Sequence, residues 1–139
     1  MMREILFRGR ISKNEWVYGL PIEGEPLMGR EKETCIVTKP GLSYYDGVLM
    51  TYNECVEVDP DTVGQFTGLT DRNSTKIFEG DIVRYGQRGK VEYNSGSAQF
   101  TLNFTNSTYE GFDKIPFCDC EVLGNIYDNP ELLEVSGNE

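Results

Sequence analysis

The chain has 139 residues, 12% aromatic and 38% hydrophobic, which is enough apolar material for a packed core and too much for a disordered chain. Its formal net charge of −10 disfavours nucleic-acid backbones and anionic membranes as partners. It contains no histidine, so every Ser-His-Asp or Cys-His arrangement is excluded, along with the commonest general base and metal ligand.

The opening residues, MMREILFRGR, hold only a short apolar run at Ile5–Phe7 among three arginines, so neither a signal peptide nor a membrane span is expected. The expected compartment is cytoplasmic, with Cys35, Cys55, Cys118 and Cys120 reduced. Short apolar runs separated by turn residues then set an all-β rhythm. Early strands are expected at Glu4–Arg8 and Glu15–Leu20, joined by Ser12-Lys13-Asn14. Trp16 and Tyr18 would share one face of the second strand, as core residues or as a binding platform. Residues 23–33 and 39–47 are rich in glycine, proline and polar residues and read as long loops around a strand at Thr34–Thr38. Tyr44 and Tyr45 in the second loop are candidate exposed aromatics, because a loop has less core to join.

Strands at Cys55–Val58 and Thr62–Thr67 follow. The stretch VGQFTGLTDRNSTKIFEGDIVRY, from Val63 to Tyr85, carries Gly64, Gly68 and Gly80, but no helix follows its glycines. A phosphate loop needs one, so these glycines are read as bends and turn formers. Asp81–Tyr85, Lys90–Tyr93 and Ala98–Phe104 form a meander, with Gly86-Gln87-Arg88-Gly89 as the first connection and Asn94-Ser95-Gly96-Ser97 as the second. In AQFTLNF, Ala98, Phe100, Leu102 and Phe104 fall on one face, expected in the core. Gln99, Thr101 and Asn103 fall on the other, expected in water. Cys118 and Cys120 would face one side of a strand as small apolar residues. The last strand is expected at Glu121–Ile126, followed by a short helical turn capped by Asn129 with Pro130 at its first position, and a frayed tail at 135–139.

Several blocks taken together, MREILFRGRI, NEWVYG, DTVGQFTGLTDRN, IFEGDIV and EVLGNIYDNPELL, resemble the YopX family of phage and prophage proteins in order and spacing. The resemblance implies a small SH3-like barrel and a phage or prophage origin. It brings no catalytic residues, since the family's activity is uncharacterised. Relatives commonly place Asn-Gly where this chain has Asn73-Ser74, and Ser74 tolerates a positive φ less well than glycine.

The expectation is a mainly β protein, with an N-terminal β region over residues 1–61 packed on an SH3-like barrel over 62–139 that ends in a short helix. The function expected is non-enzymatic: protein–protein binding or self-association. The surface expected to carry it is Tyr44 and Tyr45 with Gln87 and Arg88 of the meander's first hairpin, whose rings and directional donor suit an interface. A nucleic-acid-binding barrel is the alternative, using Tyr85, Tyr93, Arg84, Arg88 and Lys90. A small hydrolase comes third, on the carboxylate pairs Asp59 with Asp61 and Asp119 with Glu121. No cofactor and no metal are expected: Cys118-Asp119-Cys120 lacks the spacing of a zinc pair, and Cys35 stands 20 residues from Cys55.

Overall fold

A computed structural model describes residues 3–24 and 33–134, and the expected tail at 135–139 and most of the first long loop lie outside them. The molecule is mainly β, in two sheets whose strand pairs are antiparallel, and its contacts divide into two units. One unit comprises Leu6–Gly64; the other comprises Met1–Ile5 with Gln65–Glu139.

The unit of Leu6–Gly64 is built on β1 (Phe7–Ser12), β2 (Glu15–Glu23), β3 (Thr34–Tyr45), β4 (Val48–Glu57) and the first half of β5 (Asp59–Thr70), in the order β4-β3-β2-β1-β5. The first strand thus begins at Phe7, later than Glu4 as expected. Among the described residues, its buried residues other than glycine are Arg8, Thr34, Ile36, Val37, Val58 and Thr62. Two close approaches fix the strand spacing. A side chain at Gly9 would meet Val58, and a Cβ at Gly19 would stand 1.9 Å from the carbonyl oxygen of Val37, so β2 can lie against β3 only with glycine there. Thr62 ties β5 to β1: its Oγ1 accepts the Arg10 N–H at 2.9 Å and donates to the Asp59 carbonyl at 2.6 Å. Trp16 is half-buried under the Arg8 guanidinium, 4.5 Å from its ring centroid, whereas Tyr18 is exposed.

The second unit takes β5 onward to β6 (Lys76–Phe78), then forms a five-stranded sheet from β7 (Asp81–Tyr85), β8 (Gln87–Asn94), β9 (Gln99–Phe104), β10 (Tyr109–Gly111) and β11 (Glu121–Asn125). Its order is β10-β9-β8-β7-β11. The expected meander is present as β7-β8-β9. The SH3-like barrel expected over residues 62–139 is not closed: β10 and β11 end the sheet on opposite sides, so it stays open. Three 3-10 turns, Phe112–Lys114, Phe117–Asp119 and Pro130–Leu133, follow or flank the last strands. The third starts with Pro130 as its sequence suggests, but Asn129 makes no side-chain cap. Its amide oxygen instead accepts the Asn125 N–H at 3.3 Å.

The core of this unit is Ile77, Val83, Val91, Leu102, Phe104, Ile115 and Cys120, bordered by Phe100, Phe112 and Phe117. Phe100, Leu102 and Phe104 face it as their alternation requires, but Ala98, expected with them, is an exposed turn residue at φ 54° just before β9 begins at Gln99. Thr101 on the other face is not in water as expected: it is 1% exposed, and its Oγ1 donates to Asn103 Oδ1 at 2.7 Å. Asn103 in turn donates to Glu92, which pairs with Lys90, so that face of β8 and β9 is a connected polar network.

The glycine-rich stretch from Val63 to Tyr85 does turn corners. Gly68 and Gly80 take positive φ of 90° and 91°, and Ser74 does so at 63°. Two buried carboxylates hold the turns. Asp71 Oδ1 accepts the N–H of Asn73 at 2.8 Å and of Thr75 at 2.9 Å, and its Oδ2 accepts the Val122 N–H at 2.8 Å. Asp81 Oδ2 accepts the Phe78 N–H at 2.7 Å, closing the turn through Glu79 and Gly80.

Candidate interaction surface

The expected loop at 39–47 is absent. Those residues continue β3 and turn directly into β4, as a hairpin in register from Tyr45↔Val48 through Leu42↔Thr51 to Cys35↔Glu57. The turn is Asp46-Gly47, with φ of 49° and 77°. Two successive positive φ values are what a two-residue primed turn needs, and Asp-Gly between apolar runs is its strongest sequence signal. That signal lies in the sequence, but Pro40, Gly41 and Gly47 together read as a loop. Pro40 and Gly41 are tolerated because β2 pairs with β3 only over Thr34–Val37, so at residues 40–41 β3 is paired with β4 alone, and a bulge between Val37 and Lys39 relaxes the ladder just before them.

This hairpin end is apolar on both faces. Cross-strand partners share a face, so Leu42, Tyr44 and Leu49 lie on one side, and Tyr45, Val48 and Met50 on the other. All six are more than half exposed, with Tyr44 at 73% and Tyr45 at 71%. Tyr18, Leu20 and Ile22 add an exposed apolar stripe on β2 of the same unit. Residues 40–53 carry one charge, Asp46, in a chain that is 26% charged. Aromatic and methionine enrichment with charge depletion is the composition of a protein-interface core. Sequence reasoning found the two tyrosines and missed Leu42, Val48, Leu49 and Met50.

Gln87 and Arg88 belong to the other unit, and the structure gives them a different setting from the expected hairpin tip. The connection contracts to Gly86 alone, at φ 72°, with Tyr85 paired to Gln87. Both residues are strand residues of intermediate burial, and Arg88 Nη1 donates to the Leu132 carbonyl at 3.3 Å. Arg84, opposite Arg88, pairs with Glu121. The cations proposed for phosphate contact are therefore engaged within the protein: Lys90 holds Glu92 at 2.7 Å. Tyr93, half-exposed, packs edge-on against Phe100 at 5.3 Å.

The second unit also has an open groove of about 610 Å³, lined by Tyr93, Phe100, Phe112, Gln99, Glu79 and Asp113 among others. The carboxylate pairs singled out in the sequence lie elsewhere. Asp59 uses Oδ1 to accept the Asp61 N–H at 3.0 Å, a turn-forming role. Asp119 ends the 3-10 turn Phe117–Asp119. That turn also separates Cys118 from Cys120: Cys118 is exposed and Cys120 is fully buried, so they do not share a strand face. Burial, reinforced by Asp119, pushes the Cys120 thiol up to about 11. Cys35 and Cys55 are neighbours on β3 and β4, and burial together with Cys55 raises the Cys35 thiol. Among the described residues no three His, Cys, Asp or Glu side chains gather as metal ligands, and no helix is long and apolar enough to cross a membrane.

Fold and surface thus define a mainly β protein with a projecting apolar hairpin. The chain belongs to the YopX family: the family model described as YopX protein matches residues 7–134. In the solved structures it is similar to protein EF1440 from Enterococcus faecalis, with a TM-score of 0.62 and 22% identity over 96% of this chain and 100% of that one, a likeness of fold. No curated protein matches the chain.

Proposed function

We propose that this is a non-enzymatic accessory protein, encoded by a phage or prophage, that acts in the host cytoplasm by binding protein. The observation that carries the reading is the end of the β3–β4 hairpin, with six apolar residues more than half exposed on its two faces. Single exposed apolar residues are ordinary, but a contiguous group of this size marks a surface that is covered in use. The engagement of Arg84, Arg88 and Lys90 by groups of their own unit favours protein over nucleic acid as the ligand. Membership of the YopX family, which the sequence blocks resembled, supports the phage context of this reading.

The test is capture by the tagged full chain from lysogenic or infected host cells, beside the variant Tyr44→Ser with Tyr45→Ser. The expected result is a protein, or untagged copies of the chain, recovered by the wild type and lost with the variant. Equal recovery by both, or recovery of nucleic acid in place of protein, overturns the reading.

A further inference from the structure

We infer a second binding site, apart from the hairpin and independent of the reading given to it: the groove of the second unit receives an arginine side chain carried on a partner polypeptide. Every residue lining that groove belongs to the unit of Met1–Ile5 and Gln65–Glu139, and its volume of about 610 Å³ is within the range of ligand sites. Its rings, its acceptors and its charge each select this occupant.

The aromatic wall is contiguous. Tyr93 and Phe100 are direct cross-strand partners on β8 and β9, with ring centroids 5.3 Å apart, and Phe112 stands 6.0 Å from Phe100. Phe100 and Phe112 are half-buried against the core, whereas Tyr93 keeps 49% of its surface exposed. Aromatic surface left open along a groove attracts a cation through the negative faces of its rings.

Acceptors converge beside the rings. Gly111 precedes the 3-10 turn Phe112–Lys114, and a Cβ there would stand 2.7 Å from Asp113 Oδ1 and 2.7 Å from Gln99 Oε1. Glycine thus leaves room for a carboxylate and an amide to meet where both line the groove with Phe112. Glu79 supplies a second carboxylate, whose Oε1 also accepts the Gln65 N–H at 3.4 Å. Ionised carboxylates only accept, so the ligand must bring donors. A guanidinium brings five in a planar fork and can stack on a ring while it donates; an ammonium is a point charge without a plane. Arg3, the one cation of the lining, leaves the groove one charge negative and is placed to donate to a backbone carbonyl of the partner.

Charge complementarity decides the class of partner. Residues 65–139 carry twelve acidic and six basic side chains. Of the six, Lys76, Arg84 and Lys90 pair with Glu4, Glu121 and Glu92, and Arg88 donates to the Leu132 carbonyl. The field of this unit therefore draws a cationic chain and repels nucleotides, whose bases could otherwise stack on the same rings. The groove is also open, so it does not enclose a free small molecule as a closed cavity does; it suits a side chain whose backbone passes outside.

The test follows backbone amide shifts of the isotope-labelled full chain on titration with acetyl-Gly-Arg-Gly-amide. Three controls accompany it: the citrulline peptide, which has the same shape without the charge, the lysine peptide, and free L-arginine. Saturable shifts centred on Gln99, Gly111, Phe112 and Asp113 are expected with the arginine peptide, and binding at least about fivefold weaker with each control. Asp113 is exposed, so Asp113→Asn should keep the fold and weaken the arginine peptide by a similar factor. As a second variant, Gly111→Ala should do the same with an unchanged urea melt, because its methyl displaces only the mobile ends of Asp113 and Gln99. An absence of shifts at about 10 mM arginine peptide overturns the assignment, as does equal binding of the citrulline or lysine peptide. So do shifts spread over the acidic surface and unchanged affinity in Asp113→Asn. Tighter binding of free arginine than of the peptide overturns it as well, by making the groove a small-molecule site. No probe or variant here alters the hairpin, so failure of this site and failure of the capture experiment are separate results.

Discussion

Asp71 offers the sharpest test of how the corner-turning segment is held. Its carboxylate is 6% exposed and accepts three backbone N–H groups, from Asn73, Thr75 and Val122. Burial alone would raise its pKa. The three N–H donors, Val122 foremost, and the nearby Arg72 overcome that and hold the carboxyl below the usual carboxylate range. In Asp71→Asn the amide oxygen can still serve the Asn73–Thr75 turn, but Nδ2 then confronts the Val122 N–H, donor against donor. Asn73 and Thr75 are exposed and could turn to water, whereas Val122 is half-buried at its strand pair with Val83. One buried donor left unsatisfied costs about 1–3 kcal/mol, and loss of the charge-assisted character of the other two bonds brings the expected total to about 2–4 kcal/mol at neutral pH. The pH sign follows from the depressed pKa. The carboxylate's contribution is fully present above its unfolded pKa of about 3.9 and is lost as pH falls through the lower folded value. Urea melts of both proteins from pH 7 to pH 3 should therefore show the gap narrowing at the acid end. A gap that is small at pH 7, or equal at both ends, refutes the account of a charged acceptor.

Four further outcomes are expected. Ser74→Gly should stabilise by about 0.5–1 kcal/mol in the same melts, because relief of the left-handed strain at φ 63° outweighs the added unfolded-state entropy; a loss of stability would show that the Ser74 side chain contributes to the turn. Thr101→Ala should cost about 1–2 kcal/mol despite the polar character of its face, since Asn103 loses a buried donor; a cost near zero would place that face in water. Cys118 should react with Ellman's reagent in the native state and Cys120 only on unfolding. Stability should also fall as pH rises from about 8.5, where the unfolded thiol ionises, towards about 11, where folded Cys120 does, and Cys120→Ala should flatten that limb.

Much of the architecture was legible in local pattern. The alternation in AQFTLNF pointed Phe100, Leu102 and Phe104 to the core correctly, because side-chain direction along a strand depends on backbone geometry alone. The β7-β8-β9 meander followed from turn residues at short spacing, and family membership from blocks spread along the chain. The candidate surface was half legible. Tyr44 and Tyr45 were identified as exposed aromatics, and Asp46-Gly47 already encoded the turn that makes them strand residues.

What remained depended on partners distant in sequence. Thr101 has the alternation of a solvent-facing residue, yet it is buried in the network with Asn103 and Glu92. Cys118 and Cys120 are two residues apart, as on one strand face, but the 3-10 turn sends them to different environments. Arg88 looked like a free tip until Gly86 alone made the turn and the Leu132 carbonyl came within reach of its guanidinium. Whether five strands close or stay open turns on which edges find hydrogen-bond partners, and here β10 and β11 do not find each other. Turn type and face are short-range properties that a chain segment carries with it. Burial, edge pairing and sheet closure are long-range, set by whichever other segment arrives, and they exist only once the chain has folded.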